Sequence, residues 1–341
     1  MKIFLKTIAL ALLVALSSCG TKTTQEPVIQ QSKRDLLAGT YKAVCYSGFR
    51  AGQHPDRGEG AVNPSQEEIL EDLKILTETE GFELIRLYDS GENSATVLEL
   101  IKEHKMNLKV MLGIWLNAEL SNHETCAWLT EPIPEETLAA NKLINKAEIE
   151  RGIALANQYR RIIVAVNVGN ETLVDWNDHR VDMDTLISYV KHVKKNIKQE
   201  VTVAENYEWW AAQGRRLAAE LDFIAIHIYP VWEERDIDEG IQYSIENVQK
   251  VRDSLPESRI VISEAGWATT ASEFGERASE VKQKRYYDWL MEWSKQMNIT
   301  TFFFEAFDEP WKGDPGNPSG AEKHWGLYFE NRTPKLVLQK E

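Results

Sequence analysis

The sequence predicts a single-domain α/β protein, a (β/α)8 barrel. Eight short apolar runs recur between residues 40 and 311, helical patterns separate successive runs, and acids, amides and aromatics gather where the runs end. Strands joined by helical crossovers pair in parallel, and eight is the number that closes such a sheet on itself. An open doubly wound sheet is the competing arrangement. It calls for a glycine-rich phosphate loop after the first strand, and none follows here.

The N-terminal segment sets the expected compartment. Lys2 and Lys6 flank the start of an apolar stretch, IALALLVAL, that falls short of the roughly 20 residues a spanning helix needs. Residues 1–18 therefore read as an export signal. Cys19 closes the motif LSSC and resembles the acylated cysteine of bacterial lipoprotein signals, which predicts an exported, lipid-anchored protein on an outer membrane or cell surface. Residues 19–37 are polar, with no periodic apolar face, and predict a flexible tether. Residues 38–341 are expected to form one catalytic domain, a monomer whose membrane contact runs through the lipid alone.

Composition narrows the partners. A net charge of −14 argues against nucleic acid, because phosphate binding needs a basic surface; a neutral substrate fits better. Beyond Cys19 only Cys45 and Cys126 remain, so no disulfide framework is declared, and whether these two pair is left open.

The runs follow in order: TYKAVCYSGF (40–49), ELIRLYDS (83–90), NLKVMLGIW (107–115), RIIVAVNVGNE (161–171), EVTVAENYEWW (200–210), DFIAIHIYP (222–230), RIVISEAGW (259–267) and ITTFFFEAFDEPW (299–311). Between the first two, Ile69, Leu70, Leu73 and Leu76 stand at helical spacing behind a Ser65 cap. Further helical patterns cover 92–105, 135–158, 183–198, 211–220, 237–254 and 278–297, whereas 314–341 is rich in Gly and Pro and predicts a weak eighth helix. Lys42, Lys109, Arg161 and Arg259 lie at strand starts; the acids lie at strand ends. Barrel sites are built at the C-terminal ends of strands, so the asymmetry marks a site.

Two carboxylates stand out within it. Glu171 ends the fourth strand in VNVGNET and Glu264 ends the seventh in VISEAGW. Those strands face each other across the funnel of an eight-stranded barrel, and facing carboxylates hydrolyse glycosides. A metal-dependent hydrolase would want histidines clustered at strand ends; only His227 qualifies, so no metal is expected. A glycan-binding protein on a retired barrel would have lost a carboxylate, and both are present.

Alternation in IRLYD puts Arg86 and Tyr88 inward, and a buried Arg needs a carboxylate, either Glu264 or Glu305. Tyr229 ends the sixth strand beside the seventh and is placed to donate to Glu264. Sugars stack on flat rings, and Trp115, Trp209, Trp210, Trp232, Trp267, Trp311 and Trp325 fall at or after strand ends; as a group they predict a glycan cleft, with Trp267 and Trp311 nearest the cleaved bond. In FFFEAFDEPWKG, period-two counting puts Phe303, Glu305, Phe307 and Glu309 on the inward face and turns Asp308 away to fix the loop. Glu309, Trp311 and Lys312 are then expected to meet the sugar.

VNVGNE, ISEAGW and FFFEAFDEPWKG, with AVCYSG, IRLYDS and HWGLY at the two ends, resemble the signature stretches of glycoside hydrolase family 17, the β-1,3-glucanases and related transglycosylases, across residues 40–328. Ala265 and Ala268 stand where plant members carry Thr and Pro, and the eighth-strand motif is closer to bacterial members. The resemblance implies a retaining enzyme without a cofactor, acting on a neutral β-1,3-glucan such as laminarin, endo-acting in its hydrolytic form. It implies Glu171 as acid/base, Glu264 as nucleophile, and Asn170 on the sugar 2-hydroxyl, with Tyr46 among the further sugar contacts. The acid then needs a raised pKa and the nucleophile needs hydrogen-bond donors.

Overall fold

The computed structural model describes residues 31, 37, 39, 41–56 and 58–339. Eight strands run β1 (Ala43–Cys45), β2 (Leu84–Arg86), β3 (Lys109–Ile114), β4 (Ile163–Asn170), β5 (Glu200–Asn206), β6 (Ile224–Ile228), β7 (Ile260–Ala265) and β8 (Thr301–Phe303). They pair in sequential order, all parallel, and β8 closes on β1, with Val44 paired to Ile85 on one side and to Phe303 on the other. Both faces of these strands are buried, one against the barrel interior and one against helices. That is why they read as continuous apolar runs.

The helices are α1 (Gln66–Lys74), α2 (Glu92–Glu103), α3 (Glu135–Gln158), α4 (Met183–Asn196), α5 (Tyr207–Gln213), α6 (Arg215–Ala218), α7 (Ile237–Ser254) and α8 (Glu280–Met297). Ser65 caps α1 in a reciprocal capping box with Glu68, satisfying two backbone donors that a helix start leaves orphaned. Ile69 and Leu73 then face the barrel and are buried. Asp182 caps α4.

One boundary differs from the sequence reading. The run at 200–210 leaves the sheet at Asn206, whose side chain accepts from the Glu208 N–H and starts α5. Trp209 and Trp210 are therefore helical and buried, because a cap at Asn206 outcompetes the β-propensity of the aromatics that follow. After β8 the only helical turns among the described residues are short 3₁₀ pieces, Ala321–Lys323 and Leu336–Leu338, as the Gly and Pro content there suggests.

The foot of the barrel is stitched by the bases at strand starts: Lys109 Nζ donates to the Arg161 carbonyl at 2.6 Å, and Arg259 pairs with Glu200. Gln31 docks there too. Its amide donates to the Ile260 carbonyl at 2.8 Å, its carbonyl oxygen accepts the Ile260 N–H at 2.7 Å, and its backbone N–H reaches the Met297 carbonyl. At the other end, Gly113 lets β3 pass close to Tyr88, whose backbone an added Cβ would meet at 2.2 Å. No helix among the described residues is long and apolar enough to cross a membrane.

Candidate active site

Glu264 sits at the end of β7 in a dense ring of donors. Its Oε1 accepts from Arg86 Nη1 and from the Tyr88 hydroxyl at 3.0 Å; its Oε2 accepts from the Tyr229 hydroxyl at 2.7 Å, with His227 Nδ1 at 3.4 Å. Burial alone would raise the pKa of this carboxyl. His227 and Arg86 beside it, with the hydrogen bonds from Tyr229 and Arg86, outweigh that and hold it at about 2. A carboxylate kept ionised and fixed at both oxygens is equipped to attack.

Arg86 is fully buried. Of the two partners open to it from the sequence, it takes Glu264. It also donates to the Ser263 carbonyl at 3.2 Å and, through Nη2, to Asn170 Oδ1. One guanidinium thus ties the end of β4 to the end of β7.

Glu171 follows β4 directly, with a left-handed backbone at φ 49°. Its Oε1 lies 2.9 Å from His227 Nδ1, and its Oε2 accepts from Asn177 Nδ2 at 3.2 Å and Trp176 Nε1 at 3.4 Å. No Arg or Lys pairs with it among the described residues, and its side chain is 17% exposed against 8% for Glu264. His227 Nε2 faces Arg86 Nη1 at 3.5 Å. The Nδ1 of His227 faces both acids.

The two His227 distances, 2.9 and 3.4 Å, cap the separation of the nearest Glu171 and Glu264 oxygens at 6.3 Å. Retaining pairs stand about 5–5.5 Å apart, whereas inverting pairs need about 6.5–9.5 Å to admit a water. A nearest-oxygen distance within that bound accommodates the spacing of a retaining pair and double displacement.

The acid-rich stretch after β8 forms the adjoining wall. Lys312 Nζ lies 2.6 Å from Glu305 Oε2 and 2.6 Å from Glu309 Oε2, and Ser47 donates to Glu309. Burial raises Glu305 well above the usual carboxylate range, and neighbouring Glu309 adds to it. For Glu309, Lys312 overcomes burial and lowers it. Both acids are almost wholly buried, so they hold Lys312 rather than Arg86, and Glu309 does not present itself to a sugar as expected. The Lys312 side chain is 14% exposed, and its ammonium lies over the Phe304 ring, 4.5 Å from the centroid. Trp311 is half-buried beside Phe49. Asp308 turns away and fixes the loop through the Gly326 N–H and Lys335.

The period-two count through this stretch already misplaces Phe303, which it put on the inward face. That residue ends β8 with its ring on Tyr287 of α8, facing the helices, and Phe307 lies against Tyr46 and Tyr328. Phe304 instead joins Tyr229 at the barrel mouth. Alternation holds only while the chain stays in the sheet.

Two expected sugar contacts are corrected outright. Tyr46 is buried on the outer side of β1, its hydroxyl 3.3 Å from Asp72 of α1, while its neighbour Cys45 points inward to the Ser263 carbonyl. Trp267 is fully buried. Its Nε1 donates to the Arg277 carbonyl at 2.8 Å, its ring packs on Tyr286, and it fills the space beside Gly240, where an added Cβ would meet it at 2.8 Å. Trp325 is buried as well, under Tyr229 and Phe304. Trp115 stacks near His179, whose Nε2 donates to the Asn170 carbonyl at 2.8 Å, and Trp232 is exposed.

Sequence reasoning missed Trp176 and the bridging role of His227. Trp176 lies five residues past Glu171, not at a strand end, and is about half exposed. The loop carrying it is clasped by the loop after β3: Asn122 donates to the Asp175 and Asn177 carbonyls, and Cys126 to the Trp176 carbonyl. Cys45 and Cys126 are both free. No group of three or more His, Cys, Asp or Glu is placed to hold a metal among the described residues. Cys19 lies outside the described residues.

Comparison with known proteins fits this geometry. The chain is 24% identical over 310 residues to a glucan 1,3-beta-glucosidase of Arthroderma benhamiae, covering 85% of this chain and 89% of that one. For longer Aspergillus relatives the match spans 40% of their length. An endo-laminarinase structure from Formosa Hel1_33_131 superposes with a TM-score of 0.75 at 25% identity over 90% of this chain and 88% of that one. A β-1,3-glucanosyltransferase from Rhizomucor miehei gives 0.66 at 22%, over 89% and 98%, and shares the fold. The family model described as the BtgE/BtgC glycoside hydrolase domain matches residues 43–326. The chain belongs to that family and is a retaining glycosidase of glycoside hydrolase family 17.

Proposed function

We propose that this chain cleaves internal linkages of a β-1,3-glucan of the laminarin type by double displacement. Glu171 protonates the departing oxygen while Glu264 attacks the anomeric carbon. Glu171, now a carboxylate, then deprotonates the water that releases the sugar from Glu264. The observation that carries the reading is the facing pair itself: Glu264 in a socket of Arg86, Tyr88 and Tyr229, and Glu171 across His227 from it with no Arg or Lys pairing among the described residues. Asn170, oriented by Arg86, is assigned to the sugar 2-hydroxyl, and the open edges of Trp311 and Lys312 to the sugar's face and hydroxyls.

The linkage and the endo action draw support from what the relatives act on. A product profile on β-1,3-, β-1,4-, β-1,6- and mixed-linkage glucans tests both. Short laminari-oligosaccharides released early from the β-1,3 polymer, with no cleavage of the β-1,4 or β-1,6 polymer, is the expected result; glucose as the sole early product would overturn endo action.

Transfer to a sugar acceptor is the second reading, favoured by Trp176. Its half-exposed ring touches the acid/base and so borders the side where the leaving group departs. An acceptor sugar stacked there would compete with water. Products longer than the starting oligosaccharide at high substrate concentration would establish it.

The anchoring proposal rests on the LSSC motif at Cys19. Gln31 is fastened at the foot of the barrel, so a tether from Cys19 would meet the domain at the end opposite the carboxylates and leave the cleft facing outward. The mass of the mature N-terminal peptide, with and without Cys19→Ala, tests the acylation.

A further inference from the structure

Beneath the acid/base lies a second buried carboxyl that double displacement does not use. Glu205, in β5, is wholly buried. Its Oε1 accepts the backbone N–H of Leu173 at 2.9 Å and the hydroxyl of Thr172 at 3.2 Å. Those are the two residues after Glu171, whose own N–H donates to the Ala204 carbonyl at 2.8 Å. Successive residues of β5 therefore grip the chain at Glu171 and just beyond it. Glu171 is not a glycine, so its left-handed φ is held by its surroundings rather than by intrinsic preference.

The state of Glu205 follows from its surroundings. Its Oε2 is buried and has no hydrogen-bond partner among the described residues, an expensive position for an ionised oxygen. Burial first, and then the charge of Glu171, push its pKa well above the usual range, against the bonds from Thr172 and Leu173.

We propose that Glu205 is a positioning residue for Glu171: as a neutral acid it pins the turn that aims the acid/base carboxyl at the leaving-group oxygen, and it places no second negative charge beside it. The proposal rests on Glu171 being the acid/base.

The test uses the full chain with Glu205→Gln, which keeps an accepting oxygen, and Glu205→Met, which keeps the volume and loses it. Each is assayed on a laminari-oligosaccharide, whose sugar leaving group needs a proton, and on a 2,4-dinitrophenyl β-glucoside, whose leaving group does not. Glu205→Met should lose about 30-fold in kcat/KM on the oligosaccharide and less than about threefold on the dinitrophenyl substrate, the signature of a misplaced general acid. Glu205→Gln should stay within about threefold on both with an unshifted pH profile. Equal losses on both substrates, or none on either, overturn the proposal, as does a downward shift of the acid/base limb in Glu205→Gln, which would mark Glu205 as ionised. If Glu205→Met fails to fold, Thr172→Val, which removes one of the two bonds, should show the same split on a smaller scale. Glu171→Ala is the control: if it does not discriminate between the leaving groups, the acid/base assignment fails and not the role of Glu205.

Discussion

Glu264 and Glu171 both reach the Nδ1 of His227, yet their sockets are built in opposite ways. Glu264 is enclosed by Arg86, Tyr88 and Tyr229, all rooted at the ends of β2 and β6. Glu171 stands on a loop residue and meets an amide, an indole and the imidazole, with no Arg or Lys beside it among the described residues. A rigid cationic socket suits a group that must stay ionised. An uncharged, partly open one suits a group that must give up and regain a proton. Two carboxylates of the same chemistry thus divide the reaction by what surrounds them.

The largest break in this comparison comes from truncating each acid. Glu264→Ala should lower kcat on laminarin by roughly 10⁴-fold or more, and Glu171→Ala by about 10²–10⁴-fold. Azide separates the two roles on an activated β-glucoside. It should give an α-glucosyl azide with Glu264→Ala, by one displacement, and a β-glucosyl azide with Glu171→Ala, by two. The same anomer from both variants would contradict the division.

Arg86→Met strips the cation from the Glu264 socket. Breaking a buried pair costs about 3–5 kcal/mol, readable as a lowered Tm. Glu264 has a folded pKa of about 2 against about 4.3 in an unfolded chain. Its contribution to stability is therefore present above about pH 4.3 and is lost as pH falls toward the folded value. Arg86→Met should flatten that loss and move the acid limb of kcat/KM upward; an unmoved limb would show that Arg86 does not hold the charge.

Tyr229→Phe removes a single donor, so a drop of about tenfold in kcat with a smaller upward shift of the limb is expected. The smallest effects on catalysis fall on the tryptophans. Trp267→Ala should lower Tm, as large buried truncations do at about 3–5 kcal/mol, with KM nearly unchanged. Trp176→Ala should raise KM for long oligosaccharides by a few-fold, leaving Tm in place, through loss of one stacking face.

The barrel was legible because its strands are buried on both faces and write themselves as apolar runs. Arg86 and Tyr88 were legible through the alternation in IRLYD, and Glu171, Glu264 and Tyr229 because they close apolar runs at the strand ends where a barrel builds its site. Tyr46 and Trp267 were not: their directions depend on Asp72, and on Gly240, Arg277 and Tyr286, residues distant in sequence. The wall after Phe303 escaped because counting by twos has no meaning once the chain leaves the sheet. Glu205 escaped because its partners are a backbone N–H and a hydroxyl, which leave no pattern in a sequence.

The central claim is that Glu264 is the nucleophile. Incubation with 2-deoxy-2-fluoro-β-glucosyl fluoride, or its laminaribiosyl homologue, followed by peptide mass mapping, tests it most directly, because the fluorine slows release of the glycosyl-enzyme more than its formation is slowed by so good a leaving group. The expected result is one fluorosugar bonded to Glu264 in the peptide containing VISEAGW. A label on Glu171 or Glu305 would contradict the account.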